Sequence, residues 1–332
     1  MKNSLYYLGS FPPPYGGVTL KNQLMYDTMC PHIPIAVRKH NKTISQVIHI
    51  IKGILFGKGF IIGSGSTQKL LLLTKVLGRI CPHKMRNSIV FVMGGSMADD
   101  LKRKPSLHND FKQYRWMYIE TAGMLEKMRN MGFENVSRLP NCRKKGSKET
   151  SIRENSGKLR CIFFSLISRD KGTDTVLEAA KQLPQVQFDF YGVLEPSYAE
   201  EFQKALQSVP NAQYHGVFQV NGDNVYEKLN EYDLLLLPTR WVNEGVPGVL
   251  VEAKIAAVPA IVSDICYNSE IVENGVSGVV LEENTAQALA EAIAALNGNQ
   301  EQLYRLKEGA LRSAEDYFVE NYLDDILSKL DC

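Results

Sequence analysis

Short apolar runs alternate with helix-like segments along the whole chain. The runs lie at residues 4–10, 33–37, 59–64, 88–95, 116–120 and 136–140, and again at 160–167, 187–193, 212–217, 233–239, 259–264 and 277–281. Between them, apolar residues recur at helical spacing. This alternation predicts parallel sheets covered by helices, and a run as apolar as 233–238 predicts a strand buried on both faces. The pattern therefore predicts an α/β protein with two doubly wound, Rossmann-like sheets.

The polar segment 141–158 separates the two halves of the 332-residue chain. It contains Gly and Ser and has no periodicity, which is typical of a linker. We predict a first domain at 1–145, a linker at 146–157, a second domain at 158–310, and C-terminal helices at 311–332 for which a return to the first domain is left open. Ligands of doubly wound sheets bind at the carboxyl ends of the strands, so a central cleft between the two domains is the expected site.

The composition, with 44% hydrophobic and 22% charged residues, excludes a disordered or fibrous protein. The six cysteines never approach CxxC spacing, which argues against zinc and for reduced thiols in the cytosol. No apolar run reaches the roughly 18 residues of a spanning helix, and the apolar stretch near the start is too short for a signal peptide.

The charge is distributed unequally. Residues 1–150 carry 24 Lys and Arg against 8 Asp and Glu, whereas residues 151–332 carry 14 against 28. The basic half is expected to meet an anionic partner, unless the two halves simply attract each other. The apolar and basic run 43–60, with the cluster Lys102, Arg103 and Lys104, points to an anionic membrane surface. A buried helix and strand is the alternative interpretation of that run, and no recognition-helix or base-stacking pattern supports nucleic acid.

Two strand-to-helix junctions are suited to binding an anion. Gly16 and Gly17 follow the first strand and open a helix, so that backbone N–H groups can approach a phosphate without an intervening side chain. Lys171 and Gly172 stand where another strand passes into a helix. A lysine at that place can reach a pyrophosphate as a mobile point charge, with Arg169 as a second candidate cation.

A third junction, at 240–264, contains two carboxylates. Glu244 is expected in the loop after a strand, and Glu252 about one and a half turns into the helix that begins near Pro247. Gly245 and Gly248 lie between them. Two carboxylates beside a helix N-terminus can bind sugar hydroxyls and a phosphate together.

These motifs resemble those of the family 4 retaining glycosyltransferases, which have the GT-B fold. The resemblance covers nearly the whole chain and rests on residues 11–17, 118–141, 165–172, 244–253 and 266–278. It implies a metal-independent, retaining hexosyltransferase without a cofactor. The implied donor is a nucleotide sugar, a UDP-sugar in preference to a GDP-sugar. The implied acceptor is a lipid-linked saccharide or an oligosaccharide, in the synthesis of bacterial capsule, lipopolysaccharide or exopolysaccharide.

The resemblance also implies the site residues. Lys171 and Glu244 would be the catalytic residues, Lys171 on the diphosphate and Glu244 on the donor sugar, while Glu252 would contact the ribose. Base and sugar specificity are expected to depend on the loops around Tyr191–Gly192 and Gly216–Phe218 and on the poorly patterned acceptor side of the N-terminal domain. The complete implied donor site comprises Gly16, Gly17, Arg169, Lys171, Gly192, Val217, Phe218, Glu244, Gly245, Val246, Pro247, Gly248 and Glu252.

Two positions depart from the family pattern. Leu166 stands where the family has an arginine, so that either Arg169 replaces that charge or the site has one cation fewer. Met93 stands at a strand end where many members carry a histidine, and His83 and His108 lie in loops nearby. In the implied reaction a phosphate oxygen of the donor takes the acceptor's proton, so catalysis consists mainly of orientation and of stabilising the diphosphate.

The expected location is cytoplasmic, at the inner face of the plasma membrane. Two further interpretations stay open: a catalytically weak glycosyltransferase-like partner protein, and a nucleotide-sugar epimerase of the same architecture. A dinucleotide-dependent oxidoreductase is excluded, because Gln68 stands where the third glycine of the 63–68 segment would have to be.

Overall fold

The computed structural model describes residues 4–14, 16–39, 43–154, 157–221, 224–242 and 245–330. The chain divides into two compact units: unit 1 is Met1–Lys145 with Tyr317–Cys332, and unit 2 is Gly146–Asp316. Each unit contains a six-stranded parallel sheet. The predicted α/β class with two parallel sheets is confirmed. In the described part of the chain the cysteines are free thiols, and none of its helices is long and apolar enough to span a membrane.

Unit 1 has the strand order β2-β1-β3-β4-β5-β6. Mostly apolar residues buried on both faces form β1, β3, β4 and β5, as the nearly continuous apolar runs predict. The order reverses between β1 and β3, which makes their carboxyl ends the switch point of this sheet. The strands are β1 (Leu5–Gly9), β2 (Ile35–Ala36), β3 (Gly59–Ser64), β4 (Ile89–Val92), β5 (Trp116–Ile119) and β6 (Val136–Arg138).

Helices follow the strands of unit 1, and two of the described ones begin at a side-chain cap. Ser66 Oγ accepts a hydrogen bond from the Lys69 N–H, and Thr121 Oγ1 accepts one from the Met124 N–H. The helices are α1 (Gly17–Met29), α2 (Thr43–Phe56), α3 (Thr67–Ile80), α4 (Pro82–Met85), α5 (Met97–Arg103), α6 (His108–Phe111) and α7 (Ala122–Asn130), with a 3₁₀ turn at Pro105–Leu107.

Unit 2 has the strand order β12-β11-β10-β7-β8-β9. Its switch point lies between β7 and β10. The strands are β7 (Arg160–Phe164), β8 (Gln187–Tyr191), β9 (Ala212–Tyr214), β10 (Leu234–Leu237), β11 (Ala260–Ser263) and β12 (Gly278–Leu281). The helices are α8 (Thr173–Gln182), α9 (Ala199–Gln207), α10 (Asn224–Asn230), α11 (Gly248–Ile255), α12 (Asn268–Ile271), α13 (Ala286–Gly298) and α14 (Gln300–Ser313).

The end of the chain belongs to unit 1. After 3₁₀ turns at Ala314–Tyr317 and Val319–Tyr322, helix α15 (Leu323–Ser328) completes the fold. Val319, Ile326 and Leu330 are buried in the apolar core of unit 1. Tyr118 on β5 donates a hydrogen bond to Asp325 at 2.8 Å. The last residues are therefore a structural part of unit 1.

Candidate functional site

Two loops meet at the switch point of unit 2. One follows β7 and leads to α8, and the other follows β10 and leads to α11. Because β7 and β10 are hydrogen-bonded neighbours, the two loops leave the same edge of the sheet side by side. Ligands of doubly wound sheets bind at such an edge. Lys171 lies in the first loop, and residues 245–247 belong to the second.

Gly172 allows these two loops to touch. Its φ of +78° lies in the left-handed region, and a Cβ there would come within 2.0 Å of the Pro238 carbonyl oxygen. Thr239 Oγ1 donates a hydrogen bond to the Asp170 carbonyl at 3.1 Å. The loop that carries Lys171 thus rests directly on the end of β10.

Arg240 connects the two loops through hydrogen bonds and an ion pair. The sequence patterns did not indicate this residue. Its backbone N–H donates to the Asp170 carbonyl at 2.7 Å, and its guanidinium donates to the Arg169 carbonyl at 2.6 Å. The guanidinium also contacts Thr175 Oγ1 at 2.8 Å and forms an ion pair with Asp174 in the first turn of α8. Arg240 therefore has a positioning role. An arginine three residues after the end of apolar strand β10 was the only signal in the sequence.

Lys171 lies immediately before Gly172, the N-cap residue of α8, and is half-buried. Its backbone N–H donates to Ser168 Oγ at 3.3 Å. The side chain of Arg169, in contrast, points to α9, where it forms an ion pair of 2.5 Å with Glu201. Arg169 would have to leave that pair to reach a phosphate. Leu166, the position of the missing arginine, is 41% exposed.

Helix α11 begins at Gly248, with Pro247 as its N-cap residue. Val246 and Pro247 are buried, and Glu252 is half-buried on the second turn. The first turn of α11 contains no acidic residue, so no side chain of that turn neutralises the positive end of the helix dipole. Glu244 lies outside the described residues.

The residues expected near the nucleobase lie together at the neighbouring strands. The Gly192 N–H donates to the Gly216 carbonyl at 2.9 Å, joining the loops after β8 and β9. Phe218 packs edge-on against Phe164, with 5.8 Å between ring centroids, and the neighbouring Val217 is exposed. Gly192 is close to the first loop as well, because a Cβ on it would collide with the Ser165 carbonyl.

In unit 1, Gly16 is the N-cap residue of α1 and Gly17 its first residue. Both are exposed, and a Cβ on either would have no described atom within 4 Å. Gly16 has extended backbone, with φ of −172°, which any residue can adopt. Neither packing nor backbone conformation therefore requires glycine here. The Gly16 N–H donates to Thr19 Oγ1 at 3.0 Å, so an anion that approaches as predicted would compete with this hydrogen bond.

The switch point of unit 1 holds a cavity that the motifs did not indicate. Its volume is about 450 Å³, and it opens at the carboxyl ends of β1 and β3 between α2 and α3. Polar groups at its wall include Ser10, Gln46, Ser64, Ser66 and Lys69. This is the position at which a doubly wound sheet binds its ligand.

No histidine stands at the described carboxyl edge of the unit 1 sheet. Met93, at the end of β4, is buried. His83 on α4 and His108 on α6 belong to segments that lead into the amino ends of β4 and β5. His108 Nε2 lies 3.0 Å from the Leu101 carbonyl, and its ring packs on Phe133. Within the described ranges, no three or more His, Cys, Asp and Glu side chains are grouped so as to hold a metal.

Comparison with solved structures identifies the fold as GT-B. The crystal structure of Anabaena HepE in complex with UDP superimposes with a TM-score of 0.74, covering 99% of both chains at 15% sequence identity. Residues 145–312 match the family model of the glycosyl transferases group 1. Because this match includes half of the chain, the protein belongs to that glycosyltransferase family.

Two relatives act in polysaccharide synthesis, according to their names. The putative colanic acid biosynthesis glycosyltransferase WcaL of Salmonella typhimurium is 30% identical over 145 residues, which are 41% of this chain and 35% of WcaL. The amylovoran biosynthesis glycosyltransferase AmsK of Erwinia amylovora is 24% identical over 185 residues, which are 52% of this chain and 45% of AmsK. The chain thus spans less than half the length of these relatives.

Proposed function

We propose that this protein is a retaining, metal-independent glycosyltransferase of family 4. It transfers a hexose-type sugar from a nucleotide sugar to a lipid-linked or oligosaccharide acceptor in the synthesis of a bacterial surface polysaccharide. The observation that carries the proposal is the pair of loops at the switch point of unit 2. Lys171 precedes the N-terminus of α8, and α11 begins beside it at the same edge of the sheet.

This edge is suited to a leaving diphosphate. The N–H groups at two helix N-termini and the ammonium group of Lys171 stabilise the negative charge that develops as the glycosidic bond breaks. The acceptor hydroxyl approaches the face that the diphosphate leaves and gives its proton to a phosphate oxygen. Glu244 contacts the donor sugar, and Glu252 binds the ribose hydroxyls. The chain contains no Asp-x-Asp motif that would hold a metal on the diphosphate.

A UDP-sugar is the favoured donor. The loops at Gly192 and Gly216 are joined by the 2.9 Å hydrogen bond, and Phe218 packs against Tyr191 beside them; the nucleobase is assigned to this place. HepE, which shares the fold, has been crystallised with UDP and with UDP-glucose. A uracil offers fewer hydrogen-bonding groups than a guanine and needs fewer side chains for its recognition.

The acceptor is assigned to unit 1. The 450 Å³ cavity at β1 and β3 has the polar groups of Ser10, Gln46 and Lys69 in its wall, and these match saccharide hydroxyls and an anionic phosphate. A lipid-linked acceptor would place the enzyme at the cytoplasmic face of the membrane. The surplus of basic residues in this half of the chain favours such a location.

The test is a donor screen in two stages. Thermal unfolding is measured with UDP, GDP and a panel of their sugars, and we expect the UDP compounds alone to raise the melting temperature. At a concentration 100 times its Kd, a ligand stabilises the folded state by about 2.7 kcal/mol. The stabilising donor is then incubated with a soluble oligosaccharide acceptor in EDTA, and the anomeric configuration of the product is determined by NMR.

The outcomes separate the alternatives. A product with the donor's anomeric configuration supports the proposal. Release of UDP and an epimerised sugar without an acceptor would identify an epimerase. Donor binding with neither transfer nor slow donor hydrolysis would identify a catalytically weak partner protein. Stabilisation by GDP-sugars alone would overturn the donor assignment.

A further inference from the structure

Helix α2 turns its apolar side toward solvent. Its outward residues are 42–77% exposed. They recur at intervals of three and four, which places them on one stripe of the helix. The stripe consists of Ile44, Val47, Ile48, Ile51 and Leu55.

The inward side of α2 fixes this orientation. Gly53 sits so close to the sheet that a Cβ there would lie 2.5 Å from the ring of buried Phe60. His49 is buried beside it, with Nε2 3.2 Å from the Tyr7 carbonyl, and burial lowers the pKa of His49. The buried Lys84 Nζ donates to the Gly53 carbonyl at 3.1 Å. With these contacts in place, the apolar stripe cannot turn inward.

Helix α3 extends the exposed apolar surface. Leu72, Val76 and Ile80 are spaced by four residues and are 66%, 39% and 60% exposed. Lys75 and Arg79 are exposed next to them. Both helices line the same cavity, α2 with Gln46 and Ile50 and α3 with Lys69 and Leu73. The two stripes, here called the α2–α3 face, therefore lie on helices that border one cavity.

The segment of the chain that forms this face is basic. Between Asp27 and Asp99 the sequence contains ten Lys and Arg residues and no acidic residue. An apolar surface with basic residues at its margin fits the boundary between acyl chains and anionic headgroups. A second copy of this chain fits poorly, because a two-fold interface would bring the same basic residues together.

We propose that the α2–α3 face docks on an anionic lipid bilayer, with the apolar stripes of α2 and α3 inserted at the headgroup boundary. The inference deepens the proposed function, since it rests on the lipid-linked acceptor assigned to unit 1. Docking of this face brings the cavity between α2 and α3 to the membrane surface, where a lipid-linked saccharide is held. We expect a smaller contribution to membrane binding from the cluster Lys102, Arg103 and Lys104, because Arg103 forms an ion pair with Asp100 at 2.5 Å.

The test is flotation with two kinds of vesicle, neutral phosphatidylcholine and phosphatidylcholine with phosphatidylglycerol. We expect the wild type to float with the anionic vesicles at low salt, to be released at high salt, and to ignore the neutral ones. Val47→Asp/Ile51→Asp should reduce the bound fraction at least tenfold. Lys75→Gln/Arg79→Gln should reduce it severalfold. Tyr304→Asp, at an exposed apolar position in unit 2, is the matched control and should bind like the wild type.

Thermal unfolding and transfer to a soluble oligosaccharide are measured on the same preparations. Both should be unchanged in Val47→Asp/Ile51→Asp, because the substituted side chains are exposed. Vesicle binding that persists in this variant, or no binding by the wild type, would overturn the proposal. A wild-type dimer that the variant dissociates would show that a second copy covers the face. Flotation requires no nucleotide sugar, so failure of the proposed glycosyl transfer would leave this result intact.

Discussion

Lys21 Nζ lies 2.6 Å from Glu120 Oε1, and both side chains are buried in unit 1. Lys21 also donates to the Pro140 carbonyl at 3.4 Å, while Glu120 Oε2 accepts from the Gly94 N–H at 3.3 Å. Gly94, Glu120 and Pro140 follow β4, β5 and β6. The ion pair therefore ties helix α1 to three successive loops at the carboxyl edge of the sheet.

Removal of one partner of this pair should destabilise unit 1 strongly. Lys21→Met leaves a buried carboxylate without its cation, which typically costs about 3–5 kcal/mol. The double variant Lys21→Met/Glu120→Gln should lose less, because no buried charge remains. Urea unfolding can be followed by Trp116 fluorescence in a Trp241→Phe background, since Trp116 belongs to unit 1. A double variant no more stable than Lys21→Met would contradict the argument.

The local part of the fold could be predicted from the sequence. All twelve expected strands are present, and most of them are apolar runs bounded by turn residues, which is a local signal. The stripe on α2 was equally visible, yet periodicity does not say which side of a helix meets the sheet. Gly53 and Lys84 decide that, and they act through contacts with distant residues.

Ion pairs between residues far apart in the sequence could not be predicted, for the same reason. Lys21 and Glu120 are 99 residues apart, and Arg240 and Asp174 are 66 apart. In neither pair do the residues that are adjacent in the sequence indicate the partner. The role of Arg169 stays a prediction: its position near Lys171 suggests a phosphate ligand, and its guanidinium pairs with Glu201, a partner 32 residues away that the sequence does not indicate.

Gly172→Ala should disturb the loop that carries Lys171. The variant combines a left-handed φ of +78° with a collision at the Pro238 carbonyl. Gly275→Ala is the matched control, since Gly275 has a φ of +75° but no atom within 4 Å of its Cβ. The control should lose only about 1 kcal/mol of stability. Gly172→Ala should lose more and should also weaken UDP binding, as measured by calorimetry. Equal effects in the two variants would show that the contact with β10 is unimportant.

Lys171→Ala and Glu244→Ala should each slow sugar transfer by roughly 30- to 1000-fold, equivalent to about 2–4 kcal/mol in the transition state. Lys171 is half-buried in the loop after β7, so its removal leaves the core intact. Lys181→Ala, on the solvent side of α8, provides the control. Rates are measured at saturating donor. If either site variant kept more than half of the wild-type rate, its catalytic role would be refuted.

Glu252→Gln should weaken donor binding more than it slows the bound reaction. Ribose is remote from the breaking bond, so its contacts have nearly the same strength in the ground and transition states. KM and the Kd of UDP should therefore rise while kcat changes little. An unchanged Kd for UDP would remove Glu252 from the ribose site.

Lys254, two residues further along α11, should give the stability of unit 2 a distinct pH dependence. It is 4% exposed, with Nζ 2.5 Å from Ser313 Oγ and 3.3 Å from Ser277 Oγ. Burial lowers the pKa of Lys254 to about 8. In the unfolded chain the pKa of a lysine is about 10.4. Between about pH 8 and pH 10.4 the unfolded state therefore binds more protons than the folded state, so the free energy of unfolding rises with pH. Below pH 8 the penalty for burying the ammonium group is present in full.

Lys254→Met should therefore be more stable than the wild type at pH 7, by an amount on the order of 3 kcal/mol that shrinks as the pH approaches 10. The two serines keep other partners, because Ser313 Oγ donates to the Ala310 carbonyl and Ser277 Oγ accepts from the Glu273 N–H. Urea unfolding of both proteins at pH 7, 8, 9 and 10 measures the difference, with Lys181→Met as a more exposed control. A constant difference for Lys254→Met across this range would show that Lys254 keeps an ordinary pKa in the folded protein.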